Sequence, residues 1–179
     1  MKLYFVRHGE TEHNLRKVCT GWIDSPLTNT GIEQAQATAN NMKESFSIIY
    51  SSDLLRCKQT TEVINEKLQL PVTFDERLRE ENFGLLGGKS WTEINENVQP
   101  NMQDLGLAQE YDYKPFNGES VHDVSERLDT VLKEVAEKHV SKKVLIVVHG
   151  GVIRLLYKLY QNKLLRKIEN ASIHEIDIA

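Results

Sequence analysis

Cysteine is nearly missing: Cys19 and Cys57 stand alone in 179 residues. They form no C-x-x-C pair and no zinc spacing, so neither a disulfide framework nor thiol redox work is encoded. So few thiols suit a reducing compartment, and the cytoplasm is the expected location. Long apolar runs are missing as well. None approaches the ~20 residues that span a bilayer, and Met1-Lys2 leads into a short strand instead of a signal-peptide core, so no membrane partner is expected. The third lack is an excess of basic charge, with 22 Lys and Arg against 26 Asp and Glu for a net charge of −4. That balance argues against a nucleic-acid partner, which demands a broad basic face. A small anionic ligand stays compatible, because a pocket responds to the arginines that line it and not to the sum over the surface. There is no internal repeat and no low-complexity tract, and a chain of this length buries a core without a disulfide or a metal. One domain over residues 1–179 is expected, and nothing in the composition sets its oligomeric state.

What is present is a pair of apolar runs that end in histidine and glycine. Leu3-Tyr4-Phe5-Val6 leads straight into Arg7-His8-Gly9-Glu10-Thr11. A short apolar run closed by a polar break and a glycine reads as an interior parallel strand. His8 should therefore emerge at the strand's carboxyl end, where α/β folds gather their ligands. A lone histidine at a strand end is more often structural than reactive. The segment Val144-Leu145-Ile146-Val147-Val148-His149-Gly150-Gly151 changes that reading, because it repeats the arrangement. If the two strands are neighbours, about 4.8 Å apart, both imidazoles rise into one crevice.

The rest of the chain alternates. Thr30-x-x-Glu33 looks like a capping box that opens a helix to about Glu44, with Ile32, Ala35, Ala39 and Met42 on one face. Ile48-Ile49-Tyr50 makes a short buried strand, and Ser51-Ser52-Asp53 caps a helix carrying Leu54, Cys57, Thr61 and Ile64 inward, with Arg56 in its first turn. Pro71 to Phe74 suggests a peripheral strand, and Arg77-Leu78-Arg79-Glu80-Glu81 is too polar for an interior one. A long helix starts at Gly118-Glu119-Ser120 with the stripe Val124, Leu128, Val131, Leu132 and Val135. Gly150 to about Gln161 is the helix after the second central strand, and Ser172 to Ile178 a final edge strand. This order predicts an α/β fold, a three-layer α/β/α sandwich with a mostly parallel central sheet and an antiparallel edge strand. Residues 83–117 are the exception, irregular with one helix opened by Ser90-x-x-Glu93, and so long an excursion reads as a cap over the site. His13, His122, His139 and His174 read as exposed.

A right-handed crossover would bring Arg56 to the edge that carries Arg7, His8 and His149. Two guanidiniums match a tetrahedral oxyanion by paired hydrogen bonds, and the helix after His149 adds oriented amides, Gly150 among them. The expected ligand is a phosphoryl group. Gly87-Gly88-Lys89-Ser90 ends like a nucleotide-binding phosphate loop, but Phe83 stands where that loop's first glycine belongs and no buried strand precedes it.

With these residues in hand, the chain resembles the histidine phosphatase superfamily, the phosphoglycerate mutase-like proteins. The matches are Arg7-His8-Gly9-Glu10-Thr11 with Asn14, Gly21-x-x-Asp24-x-Pro26-Leu27-Thr28-x-x-Gly31, and Ser51-Ser52-x-Leu54-x-Arg56-x-x-Gln59-Thr60. They continue with Leu78-Arg79-Glu80-x-x-x-Gly84, Gly118-Glu119-Ser120-x-x-x-Val124-x-x-Arg127 and His149-Gly150-Gly151-x-Ile153-Arg154. The resemblance implies that His8 attacks phosphorus through Nε2 to give a phosphohistidine, with its Nδ1 proton held by a backbone carbonyl. It implies that Arg7, Arg56 and His149 neutralise the equatorial oxygens, and that Asn14, Thr20 and Gly21 add neutral hydrogen bonds. Glu80 would protonate the leaving group and then activate water; the residues alone do not prefer it over Glu81. No cofactor and no metal is implied.

Leu86-Gly87-Gly88 departs from the Trp-Glu-Gly that many relatives carry, which alters the wall facing the substrate. The excursion is shorter than in members that act as mutases, so a hydrolase of small phosphorylated metabolites is expected, with phosphoglycerate mutase-type transfer as the alternative. A phosphate-recognising adaptor without turnover is the rival from another class, and the retained Glu80 speaks against it. Lys89 and Lys114 are outnumbered by Glu93, Glu96, Asp104, Glu110 and Asp112, so a wall made from the excursion should repel polyanions. Trp91, Tyr111, Tyr113 and Phe116 are the expected contacts for a neutral or apolar remainder.

Overall fold

Two apolar runs form the middle of one sheet in the computed structural model, which describes residues 1–98 and 100–178. They are β1 (Lys2–Arg7) and β4 (Val144–Val148), paired in parallel with Phe5 opposite Ile146 and Arg7 opposite Val148. Every residue of β4 is buried, as expected for a strand covered on both faces. Outside them lie β2 (Ile48–Ser51) and β3 (Val72–Phe74), both parallel, and β5 (Ile173–Asp177), antiparallel to β1. The strand order is β3-β2-β4-β1-β5.

Side-chain alternation along β1 divides the core. Leu3 and Phe5 join Val144, Ile146 and Val148 on the face covered by α6 (Val121–Lys138) and α7 (Gly150–Gln161). Tyr4 and Val6 join Ile49, Leu145 and Val147 on the face covered by α2 (Asn29–Asn41) and α3 (Leu55–Leu68). These are the three layers. The α6 stripe lies where the heptad spacing put it: Val124, Leu128, Val131, Leu132 and Val135 are all buried. Each contributes roughly 1.5–3 kcal/mol by leaving water.

Several local expectations are corrected. The cap of α2 is Thr28, whose hydroxyl accepts from Gly31 N at 3.0 Å, so the helix starts before Thr30. Its buried stripe then runs through Gly31, Ala35 and Ala39, and Ile32, a residue to the side of it, is exposed. The Ser51-Ser52-Asp53 segment supplies no side-chain cap to α3, because tertiary partners have taken it: Ser51 meets Thr61, Asp53 meets Arg79 and Ser52 meets His149. His139 is buried at the end of α6, its Nε2 3.0 Å from the Tyr50 hydroxyl, and His13 and His174 are half-buried. A four-residue α1 (Glu12–Leu15) follows the first strand. Within residues 83–117, α4 (Trp91–Asn97) is capped by Ser90 as expected, and a second helix, α5 (Met102–Ala108), was not foreseen. Lys158 of α7 donates to the Ala108 and Gln109 carbonyls at 3.0 Å and so anchors the end of α5. Among the described residues no helix is long and apolar enough to cross a membrane.

Candidate active site

His8 leaves β1 directly beside the end of β4, because its amide donates to Val148 O at 3.0 Å and continues the ladder. The imidazoles of His8 and His149 consequently face each other, ring centroids 5.4 Å apart. His8 Nδ1–H donates to Gly9 O at 2.7 Å, which fixes the tautomer and leaves the lone pair on Nε2. Gly9 N in turn donates to Thr60 Oγ1 of α3 at 3.0 Å, and Gly9 lies against Gly31, whose carbonyl oxygen would be 2.3 Å from a Cβ at position 9. Burial, then Arg56 and Arg7, push the His8 imidazole well below the usual histidine range, so it is neutral.

His149 is placed differently from the expectation. It is fully buried, its Nε2 is 2.8 Å from Ser52 Oγ, and it backs His8 instead of forming the cavity wall. Burial, Arg56 and His8 keep it neutral. Gly150 also lies behind the wall. Its value is space, since a Cβ there would stand 3.2 Å from Arg7 Nε.

Three guanidiniums converge. Arg7 donates to Ile168 O, and burial lowers its pKa to about 10, so it stays cationic near neutrality. Arg56, 1% exposed, donates to Ile23 O at 3.1 Å and Gly21 O at 2.7 Å. Arg154, one turn into α7, lines the same cavity and was given no role from the sequence. Its spacing of four from Gly150, on the first turn after the second His-Gly, was the signal available. The buried Nε of each has no partner among the described residues.

Carboxyl groups complete the wall. Glu80 accepts from Gly151 N and Val152 N, each at 3.2 Å, so the amino end of α7 holds its carboxylate. Its main chain is fixed by Arg127, which donates to Arg77 O, Arg79 O and Glu80 O at 2.7–2.9 Å and is paired with Glu119. Glu81, which the sequence could not rank against Glu80, lines the same cavity at 2% exposure. Burial pulls Glu80 upward, but Glu81, Arg154, Arg56 and the Gly151 amide outweigh it and hold it below the usual carboxylate range. Burial and the charge of Glu80 push Glu81 well above that range.

The cavity these groups enclose measures about 240 Å³. Asn14, Thr20 and Gly21 line it with His8, Arg7, Arg56 and Glu80. Asn14 Oδ1 accepts from Thr11 N and Asn170 Nδ2, both at 3.1 Å, which leaves its own NH₂ to serve the cavity. Gly21 holds φ +50°, and a side chain there would meet the Phe83 ring. The outer wall is Val18, Cys19, Phe83, Trp91, Gln103, Gly106 and Leu107. Of the expected aromatic contacts only Trp91 is in it. Tyr111 and Tyr113 are stacked at 4.8 Å inside the core, and Phe116 also lies elsewhere. Lys89 and Lys114 pair with Glu93 and Asp123 away from the wall, and the excursion's other acids are absent from it. Negative charge at the cavity comes from Glu80 instead.

Comparison with known proteins gives this geometry a family. The chain is 33% identical to a "Metal-independent phosphoserine phosphatase" of Arabidopsis thaliana, over 99% of its length and 76% of the relative's. It is equally identical to a "Probable phosphoglycerate mutase GpmB" of Escherichia coli, over 99% and 85%. The solved mycobacterial glucosyl-3-phosphoglycerate phosphatase, in complex with VO₃, superposes with a TM-score of 0.87 at 27% identity, covering 99% of this chain and 97% of that one. Residues 3–179 match the family model of the histidine phosphatase superfamily, branch 1. The chain thus belongs to branch 1 of the histidine phosphatase superfamily.

Proposed function

We propose that this protein is a metal-independent phosphatase that hydrolyses small phosphomonoesters through a phosphohistidine on His8. The observation that carries the reading is the Nδ1–H to Gly9 O bond, which presents the Nε2 lone pair of a neutral imidazole beside Arg7 and Arg56. Nε2 attacks phosphorus. Arg7, Arg56 and Arg154 take up charge on the equatorial oxygens, and Asn14 adds an amide donor, so transition-state charge meets fixed donors without a metal. His149 holds the ring of His8 from behind, itself oriented by Ser52. Glu80 protonates the leaving oxygen and then accepts a proton from the water that cleaves the phosphohistidine.

The substrate is a phosphorylated metabolite with a small neutral or apolar remainder. A cavity of about 240 Å³ sits below the ~300–1,000 Å³ of most ligand sites, and the Glu80 carboxylate opposes a second phosphate. Residues 83–117 serve as the cap that supplies Trp91, Gln103 and Leu107 to the outer wall, within one domain over 1–179. The cytoplasm, where phosphorylated metabolites and reduced thiols coexist, is the proposed location.

Acid-quenched protein given labelled substrate should carry label on residue 8, and His8→Ala should lose labelling and turnover in the presence or absence of chelator. Turnover that persists in His8→Ala sinks the proposal. Glu80→Gln should harm alkyl esters more than para-nitrophenyl phosphate, whose leaving group needs no proton; equal losses reassign Glu80.

A further inference from the structure

The phosphatase reading asks for one carboxyl group on the leaving-group side of the cavity, and two stand there. Glu80 Oε1 and Glu81 Oε2 both lie within 2.5 Å of a single point, the place a Cβ of residue 151 would occupy, so only a glycine at 151 admits the pair. Both oxygens of Glu80 are taken by amides of α7. Glu81 Oε2 is buried and meets no donor among the described residues. A second carboxylate, buried and bare beside the first, is far less stable than a carboxylic acid that donates its proton to its neighbour.

Resting on the phosphatase reading, we propose that Glu80 and Glu81 act as a pair holding one proton, with Glu81 the positioning residue that retains this proton and passes it to Glu80. The need for it is visible around Glu80. Two α7 amides, Arg154 and Arg56 all favour its ionised form, which by itself would leave it without a proton to give near neutrality. Glu81 faces Glu80, Arg154 and Arg56, together with Cys19, Tyr111 and Tyr113, which burial keeps un-ionised. The arginines draw the proton off, and burial beside a neighbouring carboxylate keeps it on.

The proton count closes over a turnover. As His8 Nε2 bonds phosphorus, the P–O bond to the leaving group breaks, and the one proton of the pair passes from Glu81 to Glu80 and on to the leaving oxygen. Both carboxyl groups are then ionised, opposite Arg56 and Arg154. Water next attacks phosphorus, the N–P bond breaks, and the proton lost by water returns to the pair.

The test compares the wild type with Glu81→Gln and Glu81→Leu across pH 5–9, using an alkyl phosphate and para-nitrophenyl phosphate. Glu81→Gln keeps the shape and polarity of the neutral acid, so a folded variant is secured. With Glu81 gone, Glu80 loses the repulsion that helps keep a proton on the pair. The alkaline limb of kcat for the alkyl ester should move to lower pH, and a shift of one unit lowers turnover above it about tenfold. The aryl ester should lose less. Independently of turnover, infrared spectra of the wild type near neutrality should show the carbonyl stretch of a buried carboxylic acid that both variants lack. Alkyl-ester pH profiles that superimpose on the wild type after scaling, or an unchanged infrared band, overturn the pair. Failure of wild-type protein to hydrolyse either ester overturns the phosphatase reading instead, and the infrared band still judges the pair.

Discussion

Replacing Gly151 by alanine separates the stability of the fold from the placement of its carboxyl groups. Gly151 is the second residue of α7, and alanine there favours the helix by about 1 kcal/mol. Against this, the new Cβ would stand 1.9 Å from Glu81 Oε2 and 2.5 Å from Glu80 Oε1. To regain ordinary van der Waals separation the first oxygen must retreat by roughly 1.5 Å and the second by roughly 1 Å. Both atoms are the ends of flexible side chains, so the helix need not move. The loss is in the bonds from Gly151 N and Val152 N to Glu80, each worth about 1.5–3 kcal/mol as a hydrogen bond to a charged group. The bond loss of roughly 3–6 kcal/mol exceeds the helix gain, and scanning calorimetry should find Tm lowered by roughly 4–20 °C with the fold retained. A misplacement of about 1 Å at a reacting group lowers the rate on the order of 10²-fold. Turnover of an alkyl phosphate should fall by that factor, and para-nitrophenyl phosphate by much less. Alkyl-ester turnover at the wild-type level, with alanine in place, would refute the claim that α7 sets the position of Glu80. Collapse of the fold would refute the claim that the two side chains can withdraw.

Other perturbations test other contacts. His8 and His149 are held below the ordinary histidine value of about 6.5, so the unfolded chain binds protons that the native one refuses, and stability is lost as pH falls below 6.5. Glu81, raised above 4.5, works in the opposite sense, its contribution fading as pH rises through its native pKa. Between pH 6.5 and 4.5 the loss of stability with falling pH should be steeper in Glu81→Gln than in the wild type, by up to about 1.4 kcal/mol per pH unit in urea unfolding; equal slopes would refute the assignment. Arg127→Met removes the donors to three carbonyls around Glu80, so kcat should drop at least tenfold with KM less affected. An unaltered kcat would show that the bond from Trp22 Nε1–H to Glu80 O, at 2.7 Å, suffices. Tyr113→Phe deletes a buried hydroxyl without a partner and should raise stability by about 1 kcal/mol, measurable as a higher urea midpoint; a lower midpoint would reveal a bond to that oxygen.

The central strands and the two histidines were legible because burial on both faces writes itself as an uninterrupted apolar run, and the His-Gly break marks its end. The α6 stripe was legible for a similar reason. Thr28 and Thr30 offered two caps two residues apart, and only the packing of Gly31 against Glu10 chooses between them. Ser52 reads locally as a helix cap, but its partner, His149, is 97 positions away. The helix α5 contains Gly106 and opens after Asn101 in the left-handed conformation, so neither a cap nor propensity announced it. His139 looked solvated among Lys138, Lys142 and Lys143, and its burial depends on Tyr50 of a distant strand. Glu81 had no sequence signal at all: in Arg77 to Glu81 its surroundings read as solvent, and only the fold turns it inward.

Gly9 and Gly31 touch backbone to backbone, with no room at either for a single added carbon. Such a seam leaves no gradual route of change: a carbon at 9 meets the main chain of Gly31 and a carbon at 31 meets the main chain of Glu10, so neither position can be enlarged without moving backbone. The stretch that carries the nucleophile is therefore frozen against drift, whereas Gln103, Leu107 and Trp91 hang from short helices that can be traded freely. Diversification of this scaffold toward new esters must proceed by swapping its roof while the hearth stays untouched.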